Sequence, residues 1–173
     1  MEYTCHYFSP LGGITISCDG EALTGLQFDA GPDTAGPDRN ADLSPVLAEA
    51  VRWLDIYFSG RAPDFTPPLR MNAAAFRTRV WELLLTIPYG KTVTYAQIAE
   101  QIAAERGIPR MSAQAVGGAV GHNGILLIIP CHRVVGADGS LTGYAGGLDR
   151  KRRLLALEGA VPAGQWPPHR GPA

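Results

Sequence analysis

"TYAQIAEQIAAERGIPRMSAQAVGGAVG", residues 94–121, places two short helical segments on either side of one Gly/Pro turn. Thr94 is a good N-cap, and Gln97, three residues on, can complete a capping box, which predicts a helix over 95–105. The turn "RGIPR" ends it. Ser112 can then cap a second segment, "AQAVGGAVG", at 113–121. Helix, short glycine-containing turn, helix is the pattern of a helix-turn-helix, a device that lays its second helix against nucleic acid.

Upstream, "AAFRTRVWELLLTI" places Phe76, Val80, Leu83, Leu84 and Ile87 at helical spacing and stops before Pro88 and a turn, "PYGKT". Downstream, the apolar run "ILLII" (125–129) reads as a buried strand feeding "PCHRVV". A hairpin and loop over "GADGSLTGYAGG" follow, then a last helix, "LDRKRRLLALEG", closed by Gly159. The N-terminal part reads differently. "EYTCHYF", "GITISCD" and "ALTGLQF" form an antiparallel three-strand meander with turns at "SPLG" and "DGE". "GPDTAGPDRNAD" is a loop, and "SPVLAEAVRWLDIYFSG" a helix with Ser44 as cap, Pro45 first and Gly60 as terminator. The class is α+β. An α/β module over 1–72 is joined through the Pro-rich "RAPDFTPPLRMN" to a mostly helical one over 73–159. The Pro/Gly-rich tail, 160–173, is expected to be disordered apart from packing by Trp166.

At 173 residues and 46% hydrophobic, the chain can bury a real core. No apolar run is long enough to span a bilayer, and "MEYTCHYF" lacks a secretory pattern, so the expectation is a cytosolic protein with reduced cysteines. Three cysteines also leave no complete pairing. Net charge is only −1, but residues 1–75 hold four Lys or Arg against ten Asp or Glu, and residues 76–159 hold ten against six. The second module can meet a polyanion; the first cannot.

In "IPCHRVVG" (129–136), Cys131 stands between a proline and a histidine. A thiol becomes a nucleophile where a base or positive surroundings favour its thiolate. Adjacent residues on an extended chain point to opposite faces, so His132 reaches Cys131 only if the chain turns at Pro130 or a water carries the proton. Glu158 sits in the last turn of its helix, where the macrodipole disfavours a carboxylate by about 0.3–1 kcal/mol unless it pairs or orients an imidazole. Cys131, His132 and Glu158 thus form a candidate nucleophile, base and orienter.

The longer pattern is more specific. "PCHRVV", with "TYAQIA" and "AVGGAVGHN" upstream and "GYAGGLDRKRRLLALEG" downstream, resembles the O6-alkylguanine-DNA alkyltransferases, or methylated-DNA–protein-cysteine methyltransferases. The resemblance runs from about Phe76 to Gly159, and more loosely, through "SPLG", over the N-terminal module. It implies a ribonuclease H-like first domain and a suicide transfer of methyl or other alkyl groups from O6 of guanine in double-stranded DNA to Cys131. O4 of thymine is a further candidate lesion. It implies His132 as base through a water, Glu158 orienting it, Asn123 bracing the network and Tyr95 helping to protonate the departing guanine. It also implies Val134, Tyr144, Ala145 and Gly146 around the base, and Ser112, Ala113, Gln114, Ala115, Gly117 and Gly118 facing a minor groove from which the nucleotide is flipped out. No metal or organic cofactor is implied, and the expected form is a cytosolic monomer.

Other readings stand beside these. Cys5, His6 and Cys18 suit buried or half-buried packing better than a metal site, since Cys5 and His6 alternate in facing and no fourth ligand follows. "DRKRR" fits a solvated helix face as well as a DNA contact. A cysteine hydrolase or redox enzyme would also use Cys131 and His132, but would turn over repeatedly. A non-catalytic lesion binder is disfavoured by the intact "PCHRV". Gln114 stands where the resembled family usually has an arginine that fills the vacated base stack, which bears on base flipping and not on the thiol. It also raises a transferase for an unusual adduct or a non-duplex substrate.

Overall fold

The structure is a computed structural model that describes residues 2–30, 44–164, 166 and 167. The chain forms two compact units, one of Met1–Asn72 with Gly124–Ile128 and one of Ala73–Asn123 with Ile129–Ala173. In the first, β1 (Tyr3–Ser9), β2 (Gly12–Cys18) and β3 (Leu23–Phe28) form an antiparallel sheet in that order. Ile14, Ile16 and Cys18 alternate into the core at the two-residue period of a strand. Helix α1 (Pro45–Phe58) packs on β1 and β2 through a stripe of Leu47, Ala50, Leu54 and Tyr57. It starts where the Ser44 side chain accepts from the Val46 amide, with Pro45 in its first turn. Residues 31–42, expected to be a loop, lie outside the described residues.

The expected strand at 125–129 is not one. Ile125 makes a single bridge to Leu26, turns follow, and Leu127 has a φ of 70°, which no strand contains. All five residues are buried, at 4% exposure or less. The apolar run therefore reported burial, and burial without alternation does not distinguish a strand from a packed turn.

The second unit contains α2 (Ala75–Leu84), β4 (Lys91–Thr94), α3 (Tyr95–Arg106), α4 (Ala113–Gly121), a 3₁₀ turn at Cys131–Arg133, β5 (Val134–Val135), α5 (Leu148–Glu158) and β6 (Val161–Pro162). The capping box of Thr94 and Gln97 is formed, and Ser112 accepts from the Ala115 amide at the head of α4. α3 and α4 pack on each other and α2 on α4, where the Trp81 indole donates to the Ala119 carbonyl at 2.8 Å.

Two expectations fail in this unit. "KT" in "PYGKT" opens β4, the centre of a small parallel sheet of order β5-β4-β6. The stretch 136–147 is a loop closed by the Gly136 amide on the Ser140 carbonyl at 2.8 Å, with no hairpin strands. In the tail, Val161 and Pro162 pair with β4, and the Trp166 indole, 9% exposed, donates to Thr86 Oγ1 at 3.1 Å.

Candidate active site

β4 assembles the site. β5, on one side of it, directly follows the 3₁₀ turn of Cys131, His132 and Arg133, and β6, on the other, follows α5 and Glu158. Residues far apart in sequence are thereby brought to one place. The turn before β4 supplies Gly90, and the helix after it begins with Tyr95. Gly90 is required twice over: its φ is 78°, and a Cβ there would meet the Glu158 carbonyl at 3.2 Å.

The chain does turn at Pro130, as one of the two sequence-level alternatives required. A 3₁₀ turn has about three residues per turn, so three consecutive side chains fan out by about 120° each. Cys131 faces a cavity, and His132 and Arg133 both face Glu158. His132 Nε2 lies 2.6 Å from Glu158 Oε2. Arg133 forks onto the same carboxylate, Nε to Oε1 at 2.8 Å and Nη2 to Oε2 at 3.2 Å, and also donates to the Ile87 carbonyl at 2.9 Å. The Gly90 amide donates to Oε1 at 3.0 Å. Burial pushes the Glu158 carboxyl upward, but His132 and Arg133 outweigh it and hold the group well below the usual range. Burial pushes His132 downward; Glu158 opposes this, and the charges of Arg133 and Lys151 reinforce it. Burial thus favours the neutral form of the imidazole, and Glu158 holds it in orientation.

Cys131 is 4% exposed, and burial pushes its thiol up to about 11, against opposing pulls from the Asn123 side chain and the Lys151 charge. The resting sulfur is a protonated thiol. Asn123 is buried, and its amide also donates to the Ile129 carbonyl at 2.8 Å, pinching the neck of the 124–128 excursion just ahead of the nucleophile. All three cysteines are buried and none is in a disulfide. Among the described residues no group of three or more His, Cys, Asp or Glu could hold a metal.

The cavity at Cys131 measures about 250 Å³ and is lined by Tyr95, Gly117, Val120, Gly121, Gly143, Tyr144 and Ala145. Of the sequence candidates for its wall, Tyr144 and Ala145 line it; Val134 and Gly146 are buried and are not among the lining residues. The Tyr95 hydroxyl donates to the Thr142 carbonyl at 3.0 Å. On α4, Ser112, Ala113, Gln114, Ala115 and Gly118 are exposed, while Gly117 turns toward the cavity. α4 thus lines the pocket of the thiol through Gly117, Val120 and Gly121 and leaves other small residues exposed. Arg133 and Lys151 are the site residues the sequence reading missed. Lys151 belongs to "DRKRR", expected to be a solvated face or a DNA contact, yet it is fully buried, while Arg152 and Arg153 are exposed. Its place on the same helical face as Leu154 and Glu158 was the available signal.

Residues 3–71 match the family described as "6-O-methylguanine DNA methyltransferase, ribonuclease-like domain", and residues 75–160 its "DNA binding domain". A methylated-DNA–protein-cysteine methyltransferase of Mycobacterium tuberculosis is 44% identical over 155 residues, covering 87% of this chain and 88% of its own. The chain belongs to the methylated-DNA–protein-cysteine methyltransferase family. Another such methyltransferase, from Methanosarcina acetivorans, is 42% identical over 159 residues, 91% of this chain and 99% of its own. Among solved structures, a Mycobacterium tuberculosis homologue in complex with DNA superposes with a TM-score of 0.74 at 43% identity, over 91% of this chain and 94% of that one. The α+β class and the ribonuclease-like first domain of this methyltransferase accord with those relatives.

Proposed function

We propose that this methyltransferase repairs DNA by moving the alkyl group of an O6-alkylguanine irreversibly onto Cys131. The carrying observation is the buried thiol lining a cavity to which α4 contributes Gly117, Val120 and Gly121, next in sequence to a His132–Glu158 pair. The thiol proton passes to the neutral His132 through a water, and the imidazolium that forms is stabilised by Glu158. The sulfur attacks the alkyl carbon, the S–C bond forms, and the C–O6 bond breaks. The electron pair leaves with guanine, which takes a proton from the Tyr95 hydroxyl once that group has exchanged the Thr142 carbonyl for the base; the phenolate then regains a proton from water, and the imidazolium of His132 releases the thiol proton to water. Asn123 braces the sulfur, and Tyr144 and Ala145 wall the pocket. Ser112 through Ala115, with Gly117 and Gly118, face the groove, and the small side chains allow the backbone to approach closely.

The partner is double-stranded DNA carrying the lesion, met by a cytosolic monomer. No helix among the described residues is long and apolar enough to cross a membrane. A thioether is not reversed by ordinary thiol reductants, so each molecule acts once. Titrating the protein with duplex O6-methylguanine tests this: repair should stop at one equivalent of lesion per protein. Continued turnover would place Cys131 and His132 in a hydrolase or redox enzyme.

A further inference from the structure

The segment that follows α5 gains little from apolar burial. Val161 is 50% exposed and Pro162 is exposed as well, and ordering them costs conformational entropy. The segment is nevertheless tied at three points, all to one stretch of chain. The Val161 amide donates to the Gly90 carbonyl at 3.1 Å and the Ala163 amide to the Thr92 carbonyl at 2.8 Å. The Trp166 indole, 9% exposed, donates to Thr86 Oγ1 at 3.1 Å, and Thr86 in turn donates to the Leu83 carbonyl at 2.6 Å, in the last turn of α2. The stretch so held, 86–92, supplies partners to the buried ion pair of the site. The Ile87 carbonyl accepts from Arg133, and the Gly90 amide donates to Glu158. Both contacts are made by backbone, so no side chain at 87 or 90 can correct for a shift of the turn.

We infer that Trp166 is a positioning residue for the acceptor site, the outer anchor of a C-terminal tie. The tie holds the 86–92 turn and, through Ile87 and Gly90, keeps Arg133 and Glu158 in the geometry that orients His132. This role rests on the reading of Cys131 as the alkyl acceptor. Thr86, Val161, Ala163 and Trp166 are not among the residues lining the cavity, so the tie acts on the chemistry without touching the base. The direction of its effect follows from electrostatics. A turn free to move lets the Arg133 guanidinium leave the carboxylate, and a buried carboxylate with fewer partners takes up a proton more readily. A protonated Glu158 no longer stabilises the imidazolium that forms as His132 accepts the thiol proton.

The test compares wild type, Trp166→Phe, Thr86→Val and the double variant in single-turnover reaction with the free base O6-benzylguanine, followed against concentration and pH. Phenylalanine keeps an aromatic ring and loses the donor; valine keeps the branched shape and loses the acceptor. Thermal midpoints are measured alongside, and rates are read well below the lowest of them. Each single variant should lower the saturated rate at neutral pH roughly three- to tenfold, the range for one lost hydrogen bond. The half-saturating concentration should not change, and the acid limb of the rate profile should move to higher pH. The double variant should be no slower than either single variant, because all three lack the same bond. A lower midpoint with an unchanged saturated rate and acid limb makes the tie purely structural and overturns the inference. So do losses that multiply in the double variant, or a raised half-saturating concentration at constant saturated rate. A wild type that leaves benzylguanine untouched overturns the acceptor reading first, and this inference with it.

Discussion

Helices α4 and α5 invert the usual relation between composition and burial. α4, "AQAVGGAVG", contains no charged residue and yet leaves Ala113, Gln114, Ala115 and Gly118 exposed. α5, "LDRKRRLLALE", is dominated by charge and yet buries Lys151 and Glu158. Ordinary amphipathic packing would bury the small apolar residues and solvate the charges. Local rules give way here: one helix leaves small residues in solvent, and the other brings charge to a buried thiol.

The inward charge of α5 at Glu158, with its partner His132, should matter most. Glu158→Gln and His132→Ala are each expected to slow alkyl transfer at saturating lesion DNA by roughly 10²–10⁴-fold, the range for a proton-transferring group, with little change in affinity. Equal chemistry with lost affinity would make these residues structural. The same buried setting predicts a pH dependence. Because burial pushes the Cys131 thiol up to about 11, the protonated form dominates below that value. Its alkylation by iodoacetamide should therefore climb with pH from neutrality upward, and a plateau near neutral pH would mean that the thiolate is already formed at rest.

The outward face of α4 sharpens the other half. Gln114 is exposed in its first turn, and an arginine there would fill a vacated base site better. Extrusion costs a few kcal/mol, so recovering about 1 kcal/mol of it would speed duplex repair roughly fivefold. The rate on free O6-benzylguanine should not change. If Gln114→Arg is no faster on duplex, glutamine already fills the gap or α4 does not enter the groove. Gly118 should give the smallest effect. A Cβ there meets nothing within 4 Å, so Gly118→Ala should raise stability by about 0.5–1 kcal/mol in urea unfolding. Weaker DNA binding by that variant would show that the exposed glycine is kept for close approach; unchanged binding would remove Gly118 from the interface.

Both helices were legible in the sequence as elements, because the cap at Ser112 and the stop at Gly159 are local chemistry. The site was legible in part. Cys131, His132 and Glu158 stood out through motif and dipole arguments, whereas Arg133 received no role and Lys151 was one of the cations of "DRKRR", read as a solvated face or a DNA contact. The small β5-β4-β6 sheet that aligns the site was not legible, since strands of two to four residues carry too little alternation to be seen. At 125–129 the error ran the other way: the apolar signal was strong, but Leu127 takes a left-handed backbone that side-chain hydropathy does not encode.

The central claim is the identity of the alkyl acceptor, and intact mass followed by peptide mapping tests it most directly. After incubation with duplex DNA containing O6-methylguanine, the protein should gain one methyl group, carried on the peptide containing Cys131, with Cys5 and Cys18 unmodified. Methyl on either of those cysteines, or lesion loss with no gain in protein mass, would contradict the account.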